Sequence, residues 1–145
     1  MLNLAVTGLL VPNFTETGYK VVRTPEAVHK KLNDTLVAGF ANQRKEHRVD
    51  QISGETAGFV PLNRLSNEIM RDLQPLHEEW SGVPLKPSNA YGLRIYRPGN
   101  TLTMHTDKLE THVVSAIVHV DRDVDRPSGI EPRRGEDRFQ SFLRH

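Results

Sequence analysis

The stretch that decides the fold is YGLRIYRPGNTLTMHTD, which spans residues 91–107. Apolar and polar residues alternate on both sides of a Pro-Gly-Asn turn at 98–100, and this period of two is typical of strands. Side chains two residues apart on a strand point to the same side. The stretch therefore predicts two strands joined by a turn, with the imidazole of His105 and the carboxylate of Asp107 converging on one point.

The chemistry of this pair suggests a metal ion. One imidazole and one carboxylate make up two thirds of the two-histidine, one-carboxylate face that holds non-heme Fe(II) in oxygenases. Three downstream histidines are candidates for the remaining ligand: His112, His119 and His145. His112 and His119 are seven residues apart, so on one strand they face opposite sides and cannot serve together. We take His145 as the candidate third ligand and keep the other two as alternatives.

Two helices are predicted upstream of the pair. The first opens with Thr24 as N-cap and Pro25 at the first helical position, and its apolar stripe has a spacing of four: Val28, Leu32, Leu36 and Phe40. The second starts at about residue 62 and has apolar positions three and four apart: Leu62, Leu65, Ile69, Leu73, Leu76 and Trp80. Pro75 lies inside the second pattern and should kink or split that helix, and Gly82 should end it.

Strands are predicted on both sides of the helices. Residues 18–22 make a short strand before them, and the β-branched run at 111–120 makes a buried strand after the His105–Asp107 pair. Residues 51–59 contain two glycines and predict a loop. Helices followed by strands favour an α+β fold, with the helices packed on one face of a sheet.

Composition limits the function classes. The chain has 145 residues, 19 of them basic and 18 acidic, and this balance gives no electrostatic case for nucleic-acid or anionic-membrane partners. It has no cysteine, so disulfides, thiolate catalysis and cysteine-based zinc sites are excluded. Neither a bilayer-spanning apolar run nor a signal peptide is visible, which makes a cytoplasmic location the expectation.

The composition changes abruptly at Asp121. Twelve of the last 25 residues are charged, six acidic and six basic, and they show neither a strand nor a helix period. We therefore expect one domain over residues 1–125 and an irregular, charged tail over residues 126–145. Only Phe139, Phe142 and Leu143 have the apolar character to dock the tail.

The run from residue 91 to residue 125 resembles the 2-oxoglutarate and Fe(II)-dependent dioxygenases of the prolyl 4-hydroxylase-like branch. The resemblance rests on YGLRIYRPG, TMHTD and THVVSAIVHVDRDVD, and with the preceding helices it covers residues 18–125. It implies a fold in which helices support a partial double-stranded β-helix, a jelly-roll-like sheet. It also implies Fe(II) and 2-oxoglutarate as cofactors, with ascorbate as an added reductant.

The resemblance assigns roles to individual residues. His105 and Asp107 would be the proximal metal ligands, and Tyr96 would hydrogen-bond the 2-oxoglutarate. Arg94 shares the side of the strand that carries Tyr96, so it is a candidate contact to cosubstrate or substrate. The implied reaction converts 2-oxoglutarate to succinate and carbon dioxide and hydroxylates a peptidyl-prolyl or related substrate, either a peptide or a small molecule.

The tail departs from the family pattern. It lacks the Trp-Pro and Gly-Asp signals and the histidine-then-basic order expected after residue 125, as if a frameshift or an alternative exon had joined an unrelated sequence there. Two other functions follow from this: a catalytically inactive relative that serves as a binding or regulatory module or is non-functional, and a metal-independent protein whose His-Thr-Asp triplet is accidental. An incomplete barrel also leaves open edges, which predicts lower stability and self-association.

Overall fold

A computed structural model describes residues 15–47, 50–103, 105, 107, 112–121 and 140–144, the last range by its backbone alone. Within these ranges the chain forms two α-helices, α1 (Glu26–Gly39) and α2 (Leu65–Ser81), and a short 3-10 turn at Phe40–Asn42. The strands are β1 (Tyr19–Arg23), β2 (Arg44–Lys45), β3 (Ile52–Ser53), β4 (Gly58–Pro61), β5 (Gly92–Ile95), β6 (Thr101–Leu102), β7 (Ser115–Val118) and β8 (Gln140–Arg144).

The described strands pair in three small antiparallel sheets. Their orders are β1–β8–β7, β2–β4–β5 and β3–β6. Together with the two helices, these sheets confirm a mixed α and β architecture. The predicted strands at residues 18–22 and 91–96 are found as β1 and β5, and the turn between β5 and β6 is closed by the Asn100 amide, which donates to the carbonyl of Arg97 at 3.0 Å.

The first helix starts one residue later than predicted. Pro25 occupies the N-cap with φ −54° and ψ 133°, no side-chain cap is present, and the Pro25 carbonyl accepts the first helical bond from His29 at 2.9 Å. Thr24 is buried instead of capping, because the residue before a proline is pushed out of the helical region. Phe40 also differs from the predicted stripe: the helix tightens into the 3-10 turn there, and its ring is 51% exposed.

The second helix begins at Leu65, after a turn in which Asn63 has a positive φ of 51°. It is not split at Pro75, so that part of the prediction is wrong: the proline lacks an N–H for the Arg71 carbonyl, yet the packed apolar face carries the helix through. Its end is as predicted, with Gly82 in the left-handed region at φ 71° and its amide donating to the Glu78 carbonyl at 2.9 Å.

The core lies between the helices and one face of the β2–β4–β5 sheet. Its buried members come from both helices, from β4 and β5, and from the turn before α2: Val28, Leu32, Val60, Leu62, Ile69, Leu73 and Leu93. Strand β5 thus places Leu93 in this core, against the helices. The end of β7 is tied to the same core by Val118 and by the ring of His29, whose Nε2 lies 2.8 Å from the carbonyl oxygen of Val120.

Three segments differ from the sequence expectations. The predicted loop at residues 51–59 contains β3 and the start of β4, whose glycine and proline hid the strand pattern. Strand β7 spans only Ser115–Val118 and is partly exposed rather than buried. The tail provides β8, which pairs with both β1 and β7 and whose residues do not alternate between apolar and polar. The rest of the tail, residues 126–139 and 145, lies outside the described residues.

Candidate metal site

The structure brings His105 and Asp107 together. Nε2 of His105 lies 3.7 Å from Oδ1 of Asp107, and the side chains are 27% and 45% exposed. Both residues follow β6, and neither belongs to a strand, although the sequence predicts that the strand continues through them. Their side chains nevertheless lie close together.

The imidazole of His105 is oriented by the backbone. Its Nδ1 lies 2.9 Å from the carbonyl oxygen of Thr103. A carbonyl can only accept, so Nδ1 carries the proton of this hydrogen bond; when the ring is neutral, Nε2 holds a lone pair on the side of the carboxylate. Two electron-rich atoms then face each other, an arrangement that is favourable only with a proton or a cation between them. Metal-bound histidines are commonly held by such a bond from the other ring nitrogen.

The carboxylate of Asp107 is oriented from its opposite side. The hydroxyl of Ser115, at the start of β7, donates to Oδ2 of Asp107 at 3.2 Å, and this leaves Oδ1 to face the imidazole. Sequence reasoning missed Ser115, because the contact depends on how β7 approaches the segment after β6. No motif in the sequence marks it.

Arg94 and Tyr96 form a second polar group on the open face of β5. The guanidinium of Arg94 donates to both carboxylate oxygens of Glu46, from Nε at 2.6 Å and from Nη2 at 2.7 Å, and Nη1 donates to the Tyr96 hydroxyl at 3.3 Å. The hydrogen-bonded Glu46 carboxylate raises the pKa of Arg94 above its ordinary value, against a smaller lowering from burial. The group is therefore charged and already engaged with an internal carboxylate.

Arg94, Tyr96 and Ser115 lie on the sides of their segments that are turned away from the helical core. On β5, Leu93 and Ile95 pack toward the core, while Arg94 lies on the opposite face with Tyr96 beside it. On β7, Val118 packs toward the core and Ile117 is 48% exposed on the other face. Ser115 is two residues from Ile117 and shares its face.

A third ligand is not found in the part of the chain that the structure describes. Within those residues, no group of three or more histidine, aspartate or glutamate side chains is placed to hold a metal ion. The ring of His112 stacks on Tyr91, with centroids 5.8 Å apart, and its Nε2 lies 3.1 Å from the Tyr91 hydroxyl. His119 is exposed at the end of β7, and His145 lies outside the described residues.

Comparisons of this chain with protein-family models, with curated proteins and with solved structures find no match. Neither described helix has the length and apolar character needed to cross a membrane.

Proposed function

We propose that this chain is a prolyl 4-hydroxylase-like dioxygenase that uses Fe(II) and 2-oxoglutarate, with His105 and Asp107 as metal ligands. The observation that carries the proposal is the 3.7 Å approach of Nε2 and Oδ1, with both side chains fixed from behind by Thr103 and Ser115. Two ligands at right angles and about 2.1 Å from a metal are about 3.0 Å apart. Closing the pair onto a cation therefore needs a movement of less than about 1 Å.

The fold supports the same proposal through its open faces. In a double-stranded β-helix the site lies inside the barrel, on strand faces turned away from supporting helices. Arg94, Tyr96 and Ser115 all lie on such faces here. We propose that the three small sheets are parts of that jelly-roll-like barrel, and that the exposed row of Tyr19, Val21 and Ile117 contacts the apolar part of a peptide or small-molecule substrate.

His145 is our proposed third ligand. Strand β8 pairs with β7 so that Arg144, the residue before His145, is opposite Ser115. Ser115 in turn contacts Asp107. Residue 145 itself lies outside the described residues, so the proposal for His145 rests on the family resemblance. A later strand is also where the family resemblance implies the second histidine.

When bound, iron and 2-oxoglutarate would supply the oxidising chemistry. The residues of this chain hold and orient: Thr103 fixes the tautomer of His105, Ser115 fixes the rotation of Asp107, and Tyr96 offers a hydroxyl to a ligand carboxylate. Arg94 is available to such a ligand only if Glu46 gives way, because both carboxylate oxygens of Glu46 already occupy the guanidinium.

That occupied guanidinium supports a second candidate function, a catalytically inactive relative that acts as a binding or regulatory module. Such a protein would bind a metal ion through His105 and Asp107 without turning over 2-oxoglutarate.

Succinate formation tests the proposal and separates the two candidates. Purified protein is incubated with Fe(II), ascorbate and 2-oxoglutarate, with and without a proline-rich peptide, and succinate is quantified. We expect metal-dependent succinate that falls by about 100-fold in His105→Ala. His77→Ala is the matched control, because His77 contacts only the Leu73 carbonyl of its own helix among the described residues, at 2.8 Å. Equal succinate in His105→Ala and the wild type contradicts the proposal; metal binding without succinate supports the inactive relative.

A further inference from the structure

The chain carries a cationic cavity that the proposed metal site does not use. A cavity of about 390 Å³ lies beside β2, and its walls include Arg44 and Lys45 of that strand, Arg97 after β5, and Glu55. The lining of this cavity contains three cationic side chains and one carboxylate, whereas the whole chain has a net charge of only +1. A volume of this size matches the lower end of the range for small-molecule sites.

The three cations lack acidic partners among the residues that the structure describes. Other cations of the same region are neutralised: Lys30 and Lys31 pair with acidic side chains on the helices, and Arg94 pairs with Glu46. No described carboxylate lies within 4.0 Å of the charged nitrogens of Arg44, Lys45 or Arg97. Among the described residues, the positive charge of the cavity is therefore offset only by the carboxylate of Glu55 in its lining.

Hydrogen bonds through Gln43 hold the part of the cavity wall around Arg97. The side-chain oxygen of Gln43 accepts a hydrogen bond from Nη2 of Arg97 at 3.3 Å, and the amide nitrogen of Gln43 donates to the Phe40 carbonyl at 3.1 Å. Gln43 lies over Gly58 of β4, where a Cβ atom would collide with its side-chain oxygen. The glycine thus makes room for the residue that orients Arg97.

The remaining wall is held by the turn between β5 and β6. The side chain of Asn100 accepts from the Arg97 amide at 2.8 Å and donates to the backbone carbonyl of Glu55. The guanidinium of Arg44 lies 5.5 Å from the centre of the Phe59 ring, a cation–π contact that limits its motion. The contacts to Gln43 and Phe59 restrict the exposed side chains of Arg97 and Arg44, and such restriction lowers the entropic cost of binding.

We propose that this cavity binds the phosphate group of a small phosphorylated compound. A carboxylate is planar and is satisfied by one guanidinium fork, whereas a phosphate dianion presents oxygens in several directions and can be shared by converging cations. Arg97 donates to its oxygens, while Arg44 and Lys45, which alternate to the two sides of β2, add positive charge at the rim of the cavity. The site is separate from His105 and Asp107 and does not depend on a metal ion.

Calorimetric titration with inorganic phosphate and with pyrophosphate, at constant ionic strength, tests this inference. We expect saturable binding that weakens about tenfold in Arg97→Gln and in Arg44→Gln, since each removes one positive charge from the cavity lining. Arg71→Gln on α2 and Lys86→Gln are matched controls that remove one exposed cation each from outside the cavity lining, and we expect both to bind as the wild type does.

Two further variants keep the result interpretable. Gly58→Ala displaces Gln43 without removing a charge, and we expect it also to weaken phosphate binding; circular dichroism confirms that each variant is folded. His105→Ala should bind phosphate as the wild type does, so failure of the metal site and failure of this site are distinguishable. The proposal is overturned if phosphate and pyrophosphate give no saturable binding at concentrations of roughly 10 mM, or if the control variants weaken binding as much as Arg97→Gln and Arg44→Gln do.

Discussion

The β2–β4–β5 sheet and the β1–β8–β7 sheet each have three antiparallel strands but differ in what covers them. The first packs one face on both helices and buries Val60 and Leu93 there. The second leaves an apolar row exposed, with Tyr19, Val21 and Ile117 at 58%, 45% and 48%. The difference indicates that stability comes mainly from the helix-backed sheet, while the other sheet provides an open surface beside the proposed metal site.

The largest expected effect comes from truncating matched strand residues in the two sheets. Leu93→Ala removes a buried side chain from the helix-backed sheet and should lower the free energy of unfolding by about 2–5 kcal/mol. Ile117→Ala removes a half-exposed side chain from the other sheet and should cost less than about 1 kcal/mol. Denaturant unfolding of both variants measures the two costs. Equal costs would contradict the division between a core sheet and an open sheet.

A smaller effect is expected for the ion pair on the open face of the helix-backed sheet. The Arg94 and Glu46 side chains are 32% and 15% exposed, so solvent screens part of their attraction. A double-mutant cycle with Arg94→Gln and Glu46→Gln should give a coupling free energy of about 1 kcal/mol. Coupling near zero would mean that the pair does not hold Arg94, and a ligand carboxylate would then reach the guanidinium without competition.

The smallest expected effect is the pH dependence of stability that comes from Glu78, near the end of α2. The Leu85 amide at 2.8 Å and then the Gln74 amide at 2.9 Å hydrogen-bond Oε1 of Glu78 and lower the pKa of this carboxyl below its ordinary value. A lowered pKa contributes stability above the ordinary carboxyl pKa, and that stability is lost as pH falls through the folded-state pKa. The melting temperature of Glu78→Gln should therefore lie below that of the wild type at pH 7.

This difference should shrink as the pH falls toward about 3, because the wild-type carboxyl then becomes protonated as well. Thermal melts at a series of pH values measure it. Glu79→Gln removes the neighbouring exposed carboxylate with the same change in net charge and serves as the control. A gap between Glu78→Gln and the wild type that stays constant from pH 7 to pH 3 would contradict the assignment.

Much of the architecture follows from local patterns. The spacing of Ile69 and Leu73 marks α2, Gly82 marks its end, and the alternation around Leu93 marks β5. Strands β3 and β8 could not be predicted, because neither shows an alternating pattern and both depend on partners distant in sequence. Pro75, a helix-breaking residue, also does not interrupt α2, because tertiary packing stabilises the helix around it.

The contacts of the candidate site also fall into those that the sequence predicts and those that it does not. The convergence of His105 and Asp107 is predicted by their spacing, and the shared face of Arg94 and Tyr96 follows from strand alternation. Ser115 and Glu46 could not be found in the sequence, because each reaches its partner across a turn or another strand. The spacing of residues in the sequence thus predicts contacts within one segment. Contacts between segments depend on how the strands pair, which the sequence does not show.

The most direct test of the central claim is a titration of the purified protein with Co(II), followed by the visible absorption that develops when an imidazole and a carboxylate bind the ion. We expect one site per chain in the wild type, loss of the signal in His105→Ala and in Asp107→Ala, and affinity about tenfold weaker in Ser115→Ala. Unchanged Co(II) binding in Asp107→Ala would contradict the claim that His105 and Asp107 share one metal ion.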